Sequence, residues 1–315
     1  MHAKMLGSIA GLNETDPEEF RAIRDASHKL LEKYTNPEEL SPEVKTILNN
    51  YDEGWHFDAE LGVVNIEGTL ESAVLGIRRE GRYVEKETKK KREKRLKVAE
   101  TMKDVQFGYC SSFYISYTKI KKFGNNIPRR VLYRFDCSEN QLVTLKGGPD
   151  WTKSYDCSDN KLKSLDYIAK YITGDLNCNS NEITSLSSLS EVKEINTLNC
   201  SENKLRDLVG CPPMVKKLNV SYNELVSMRG APMDLTLRDM FLDGNTVSSK
   251  SLKLAFNAMK AASGDYSKGL LKIWKKIPKE DQIHMYLDLP PFSITQEEIK
   301  KLLAFKNYLS IKHLI

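Results

Sequence analysis

The chain has 315 residues, 40% hydrophobic and 29% charged, which suits one large or two modest domains with a real core. No run approaches the ~18 apolar residues of a membrane span, and the opening MHAKMLGSIAGLNE has no apolar h-region of a secretory signal. A membrane partner is therefore not expected, and the six cysteines are read as reduced thiols in a cytoplasm.

Residues 1–54 read as helical. DPEEFRAIRDASHKLLEKY has Pro17 in a first turn and Phe20, Ile23, Leu30, Leu31 and Tyr34 mainly on one face. SPEVKTILNNY repeats the start signal at Ser41-Pro42. Residues 55–68, WHFDAELGVVNIEG, alternate like two short strands around a turn.

Residues 69–109 read as a basic helical insertion. The net charge is +5, yet between Arg78 and Lys97 eleven Lys or Arg oppose four Glu, a local +7 that leaves the remainder at −2. The segment KETKKKREKRLK is rich in helix formers, with Glu85/Lys89 and Glu87/Lys91 as i,i+4 pairs. Its only apolar stripe, Val98, Met102 and Val105, is in the second half, so the first half is expected to project as a solvated helix or to order on a partner.

Residues 110–250 repeat every 20–22 positions as L-x-x-L-x-C-x-x-N-x-L-x-x-L. The slots read Leu132, Phe135, Cys137, Asn140, Leu142, Leu145, then Thr152, Tyr155, Cys157, Asn160, Leu162, Leu165. The series continues with Thr173, Leu176, Cys178, Asn181, Ile183, Leu186, and with Ile195, Leu198, Cys200, Asn203, Leu205, Leu208. Later copies centre on Val220/Asn223 and Leu242/Asn245, and a divergent first copy runs from Cys110 to Phe123 with Thr118 for Asn. Period and pattern are those of leucine-rich repeats. The expected fold is an α/β repeat, a leucine-rich-repeat solenoid with a parallel β-ladder and α-helical N- and C-terminal caps.

In such a coil the Asn turns the chain and bonds the open backbone groups at the strand end. Cys137, Cys157, Cys178 and Cys200 fill an inward slot taken elsewhere by Ile115, Val220 and Leu242, so they read as small hydrophobes. Their spacing makes a column rather than a point, which argues against a metal site. Cys211, in VGCPP, is the thiol expected to be most exposed.

Residues 251–315 return to a helical period. Leu252, Ala255, Phe256 and Met259 form one stripe, and Leu270, Ile273, Trp274 and Ile277 another. Thr295–Glu298 reads as a capping box opening a last helix with Ile299, Leu302, Leu303 and Leu309.

Tandem DCSxNxL copies joined by GGP (147–149), GCPP (210–213) and GAP (230–232) resemble the leucine-rich repeat proteins encoded by tailed bacteriophages. The lead-in at Trp55–Gly68 and the ending KNYLSIKHLI are also similar to theirs, so the resemblance covers roughly residues 50–315. It implies a recognition scaffold and no particular reaction. One departure stands out: residues 69–112 separate lead-in from repeats, where the family runs almost directly on.

No catalytic set emerges. The five histidines lie outside the repeats with no H-E-x-x-H spacing, and Gly147-Gly148 belongs to a repeat turn rather than a phosphate loop. Asp136 and Asp156 neighbour each other as solvated positions of a sheet, not as an acid–base pair. No enzyme activity, cofactor or metal is expected. The recognition surface is the concave sheet, whose central outward column is Tyr114, Asp136, Asp156, Asn177, Asn199, Asn219 and Phe241. Beside it run Ser116, Ser138, Ser158, Asn179, Ser201, Ser221 and Asp243. The first functional expectation is a protein-interaction module gripping a host or viral protein, in a host-modulating or virion role. The alternative is nucleic-acid binding through residues 78–97, with Lys89, Lys90, Lys91, Arg92, Lys94 and Arg95 on phosphates. Acids interrupt that run and Tyr83 is its one aromatic, so a plain solvated helix competes with it.

Overall fold

In the computed structural model, residues 40–50, 54–80, 87–289 and 293–312 are described. The expected helix bearing Phe20 to Tyr34 lies outside them, as do Arg82, Tyr83, Glu85 and Lys86 of the basic run.

Helix α1 (Pro42–Asn49) starts where expected: the Ser41 hydroxyl accepts from the Val44 N–H at 3.3 Å, and Val44 and Leu48 are buried. Strands β1 (Trp55–Asp58) and β2 (Val63–Ile66) pair antiparallel. The Asp58 carboxylate accepts the Glu60 and Leu61 N–H groups, both at 3.1 Å, which turns the chain between them.

The coils start earlier than the sequence indicates. Strand β3 (Thr69–Glu71) pairs in parallel with β4 (Tyr109–Tyr114), matching Leu70 to Phe113 and Glu71 to Tyr114. The insertion therefore lies inside the first coil, after a short 3₁₀ turn (Ser72–Leu75), rather than ahead of it. Its helix, α2 (Lys89–Met102), is exposed over residues 89–94, as expected of its first half, and docks through the rest. Met102 is fully buried, Val98 packs against the core, and Arg95 donates to the Gly76 carbonyl at 3.2 Å. Gly76 adopts φ 65°, and a Cβ there would collide with the Ala99 backbone, so two small residues bring helix and coil together.

From β3 onward the chain forms a parallel β-solenoid. Strands β5 (Arg130–Asp136), β6 (Trp151–Asp156), β7 (Tyr171–Ile172), β8 (Leu176–Asn177), β9 (Glu194–Asn199), β10 (Met214–Asn219) and β11 (Met240–Phe241) follow in sequence. Their spatial order is β11-β10-β9-β8-β6-β5-β4-β3, with β7 also beside β6. The inward residues change character along the axis. Phe113, Phe135 and Tyr155 pack ring to ring at 5.8 and 4.9 Å, and Leu176, Leu198 and Leu218 then take over.

Two slots shift by one residue. The buried partners of Thr152 are Val131 and Ile172, not Leu132 and Thr173, which are half-buried and exposed. The register between β5 and β6 slips between Val131 and Arg134, so the β5 coil holds one residue more than the β6 coil between the paired positions, and the β7–β8 coil does the same between Ile172 and Leu176. Counting back a fixed number from Cys misses such a bulge.

The asparagines form the ladder that the repeat requires. Asn181 Nδ2 donates to the Cys157 carbonyl of the preceding coil at 3.0 Å, and to the Cys178 and Asn179 carbonyls of its own at 3.2 and 3.1 Å. Its Oδ1 accepts the Leu162 N–H at 3.0 Å. Asn140, Asn160, Asn203, Asn223 and Asn245 repeat the bond to the preceding coil at 2.8–3.0 Å. Thr118 substitutes in the first copy: its hydroxyl bonds the Ile115 carbonyl at 3.0 Å and Asn140 Oδ1 at 2.9 Å. The residue before each Asn lies in the left-handed region: Glu139, Asp159, Ser180, Glu202 and Tyr222 at φ 52–55°, and Gly244 in the last copy.

Cys137, Cys157, Cys178 and Cys200 are fully buried, while Cys211 is the one half-exposed thiol. Burial pushes the Cys137 and Cys157 thiols well above their ordinary range, which keeps them as small apolar packers.

Helix α3 (Ser249–Ala261) follows β11 and buries Leu252, Ala255, Phe256 and Met259 as expected. Gly269 of α4 (Tyr266–Ile273) abuts it, and a Cβ there would fall 2.5 Å from the Ala258 carbonyl carbon. Helix α5 (Lys279–Met285) carries buried Asp281, which accepts the Ser248 N–H at 3.0 Å and its hydroxyl at 2.6 Å. Helix α6 (Gln296–Lys312) opens on the expected box, Thr295 N–H to Glu298 at 2.8 Å and Glu298 N–H to Thr295 at 3.2 Å. Leu302 is buried, but Leu303 is 44% exposed and lies off the packed face, contrary to expectation. The Leu309 side chain is outside the described set.

Asn181→Ala or Asn203→Ala removes three donated bonds and one accepted bond, leaving buried backbone groups open. Each is expected to cost about 3 kcal/mol in urea unfolding, and a loss below about 1 kcal/mol would contradict the ladder's role.

Candidate interaction surface

The seven residues expected on the concave face form one unbroken column. Tyr114 pairs with Asp136, Asp136 with Asp156, Asp156 with Asn177, Asn177 with Asn199, Asn199 with Asn219 and Asn219 with Phe241. Alternation along each strand puts them outward, and parallel in-register pairing stacks them ~4.8 Å apart. The six residues from Tyr114 to Asn219 are half-buried, and Phe241 is 41% exposed. Glu71 continues the column at its N-terminal end, through its pairing with Tyr114.

Part of this column serves the fold. Asp136 Oδ1 accepts the Ser138 N–H and hydroxyl at 3.1 and 2.7 Å, and Asp156 does the same for Ser158 at 3.2 and 2.7 Å. Asn199 caps Ser201 at 3.2 and 2.9 Å, and Asn219 accepts the Ser221 N–H at 3.1 Å. In the neighbouring column Ser116, Ser138, Ser158, Ser201 and Ser221 are buried, Asn179 in its middle is half-buried, and Asp243 at its end is exposed.

Arg134 changes the electrostatics of the acidic half. It lies on the same face as Asp136, two residues along β5, and its Nη2 bridges Asp136 Oδ2 at 3.2 Å and Asp156 Oδ2 at 2.7 Å. Partial burial opposes its charge, but the two carboxylates outweigh that and hold the guanidinium above its ordinary range. Asp156 also receives Asn177 Nδ2 at 3.2 Å. The two aspartates are thus occupied within the chain. Among the described residues, the Nδ2 donors of Asn199 and Asn219 carry no such bond. Beyond them Phe241 has the Lys217 ammonium 5.3 Å from its ring centroid.

A second lane follows the left-handed residues: Tyr117, Glu139, Asp159, Glu202 and Tyr222 are exposed and Ser180 is half-buried. The charge of Glu139, with burial and Asp136 behind it, raises the Tyr117 hydroxyl pKa. Burial, then the neighbouring Glu202, raise that of Asp159.

Of the basic residues, Lys89, Lys90, Lys91, Arg92 and Lys94 lie exposed on α2. Arg95 does not join them. It turns inward and binds Glu87 through two bonds, 2.8 and 3.2 Å. Among the described residues no group of three or more His, Cys, Asp or Glu converges to hold a metal, and no helix is long and apolar enough to cross a membrane.

Glu71, Arg134 and the left-handed lane were not singled out from the sequence. Arg134 carried a signal, since R-F-D places opposite charges two residues apart on one strand face. Glu71 sits in a three-residue strand and carried none. Comparison with protein-family models, curated proteins and solved structures gives no match to this chain.

Asp159→Asn separates two effects. The folded-state pKa of Asp159 lies above the unfolded one, so the unfolded chain ionises first as pH rises. Its charge therefore lowers stability above about pH 4 and is neutral below. The variant is expected to melt higher than wild type at pH 7, with the gain shrinking as pH falls to about 3.5. A gain independent of pH would assign it to the left-handed backbone alone.

Proposed function

We propose that the chain is a leucine-rich-repeat protein of bacteriophage type that binds a protein partner through its concave sheet and performs no chemistry of its own. Helices α3–α6 cap the C-terminal end of the solenoid, and helix α1 caps the other. The partner is a host or viral protein, met in the host cytoplasm or the virion.

The observation that carries this reading is the column of half-buried polar side chains in strict register, ending in an exposed aromatic. Rigid coils hold these groups at fixed spacing, so a partner meets a pre-formed pattern of donors and acceptors at small ordering cost. The contact centre lies in the C-terminal half. There Asn199 and Asn219 retain donors, and Phe241 supplies the kind of apolar anchor that dominates interface energy. In the N-terminal half Arg134 already neutralises Asp136 and Asp156, which leaves those residues a structural role beside any contact they make.

Asn199→Asp with Asn219→Asp tests this. The exchange keeps the Oδ1 caps, as Asp136 and Asp156 do in their own coils, and removes the Nδ2 donors. With a partner identified by affinity capture and mass spectrometry, the double variant should bind about tenfold or more weaker. Phe241→Ala should weaken binding about fivefold or more, with circular dichroism unchanged. Unaltered affinity in both would remove the concave face as the binding site.

A further inference from the structure

Helix α2 carries its charge where an isolated helix is least served by it. Lys89, Lys90 and Lys91 form its first turn, which holds no acid. The Thr88 hydroxyl caps the Lys91 N–H at 3.3 Å, but that end is still the positive pole of the helix dipole, so lysines there lower helix stability and an anion raises it. Glu87, one residue ahead of the Thr88 cap, is held by Arg95. Glu93 is the one acid among residues 89–97.

The opposite face is fixed. Arg95 reaches Gly76, Ala99 lies against Gly76, and Met102 is in the core. The helix is therefore held to the solenoid by one side, and Lys89, Lys90, Lys91, Arg92, Lys94 and Lys97 turn to solvent on the rest of its circumference. A protein interface needs aromatic or large apolar anchors at its centre. This surface offers one exposed apolar side chain, Leu96 at 50%, and no aromatic between 89 and 97. A phosphate backbone needs only positive charge at close spacing. Residues 89–97 extend ~12 Å along the axis, roughly the width of a duplex major groove, so charges on two sides of the helix can meet both strands.

We propose that α2 is a nucleic-acid contact arm that binds the phosphate backbone of a duplex without reading its sequence. The surface is separate from the concave sheet, and the two bind independently.

The test uses the full chain and a fluorescein-labelled DNA duplex of about 20 base pairs, followed by anisotropy from about 50 to 200 mM NaCl. Binding in the micromolar range is expected, with log K falling against log salt at a slope of about −4 to −5. Lys89→Glu, Lys90→Glu, Arg92→Glu and Lys94→Glu together should reduce binding at least about 100-fold. Two of the new acids, at 89 and 90, enter the first turn, where they favour the helix, and unchanged circular dichroism excludes unfolding as the cause of that loss. Single Lys94→Ala should reduce the slope by about 1 and weaken all sequences equally. No binding at 50 mM salt, or equal binding by the quadruple variant, would overturn the proposal. So would labelled poly-glutamate binding as tightly as the duplex, which would assign α2 to an acidic protein.

Discussion

From β4 onward, each coil of this molecule depends on one side chain that is donor and acceptor at once. A parallel strand that ends in a sharp turn leaves carbonyls and N–H groups open inside the fold, where no water reaches them. Asparagine, at a fixed point after the strand, closes both kinds of group, in its own coil and in the one before it. Aspartate cannot donate, glutamine is one methylene longer, and serine has no amide. The ladder runs from Thr118 and Asn140 to Asn245. It holds the preceding residue in a left-handed conformation even where that residue is Glu, Asp, Ser or Tyr. Such conformations persist only where the surroundings over-determine them.

The same constraint creates the surface. Once the strand ends are fixed in register, the outward residue ahead of each Cys or its substitute must stack on its neighbours. The column from Glu71 to Phe241 is therefore a consequence of the ladder, and its chemistry is what the sequence is free to choose. In the N-terminal coils that choice is a carboxylate pair closed by Arg134. In the C-terminal coils it is amides with available donors and an aromatic end. The proposed protein contact rests on that difference. The proposed nucleic-acid contact rests on a helix inserted within the first coil, which the ladder tolerates because β3 still pairs with β4 across the insertion.

Much of this was legible in the sequence because the repeat states it many times. The Cys and Asn slots, the hairpin at Trp55–Ile66, the Ser41 cap and the Thr295–Glu298 box all follow from local rules, and the structure has them. What was not legible depends on events that no period records. One extra residue in two coils moved the inward slots to Val131 and Ile172. A three-residue strand, cut off by a long insertion, hid Glu71. The docking of α2 rests on Gly76 and Ala99, whose smallness is a packing fact rather than a pattern. Arg95 looked like one basic residue among many until its bonds to Glu87 and Gly76 separated it from them.

Native-state hydrogen exchange of the backbone N–H groups that bond to the ladder, those of Leu142, Leu162, Ile183, Leu205 and Leu225, tests the central claim most directly. These N–H groups lie in turns beyond the strands, where loop amides ordinarily exchange fast. If the asparagines hold the coils together, all five exchange only through global unfolding, with one shared free energy. Exchange at loop-like rates, while strand amides stay protected, would show that the sheet stands without the ladder.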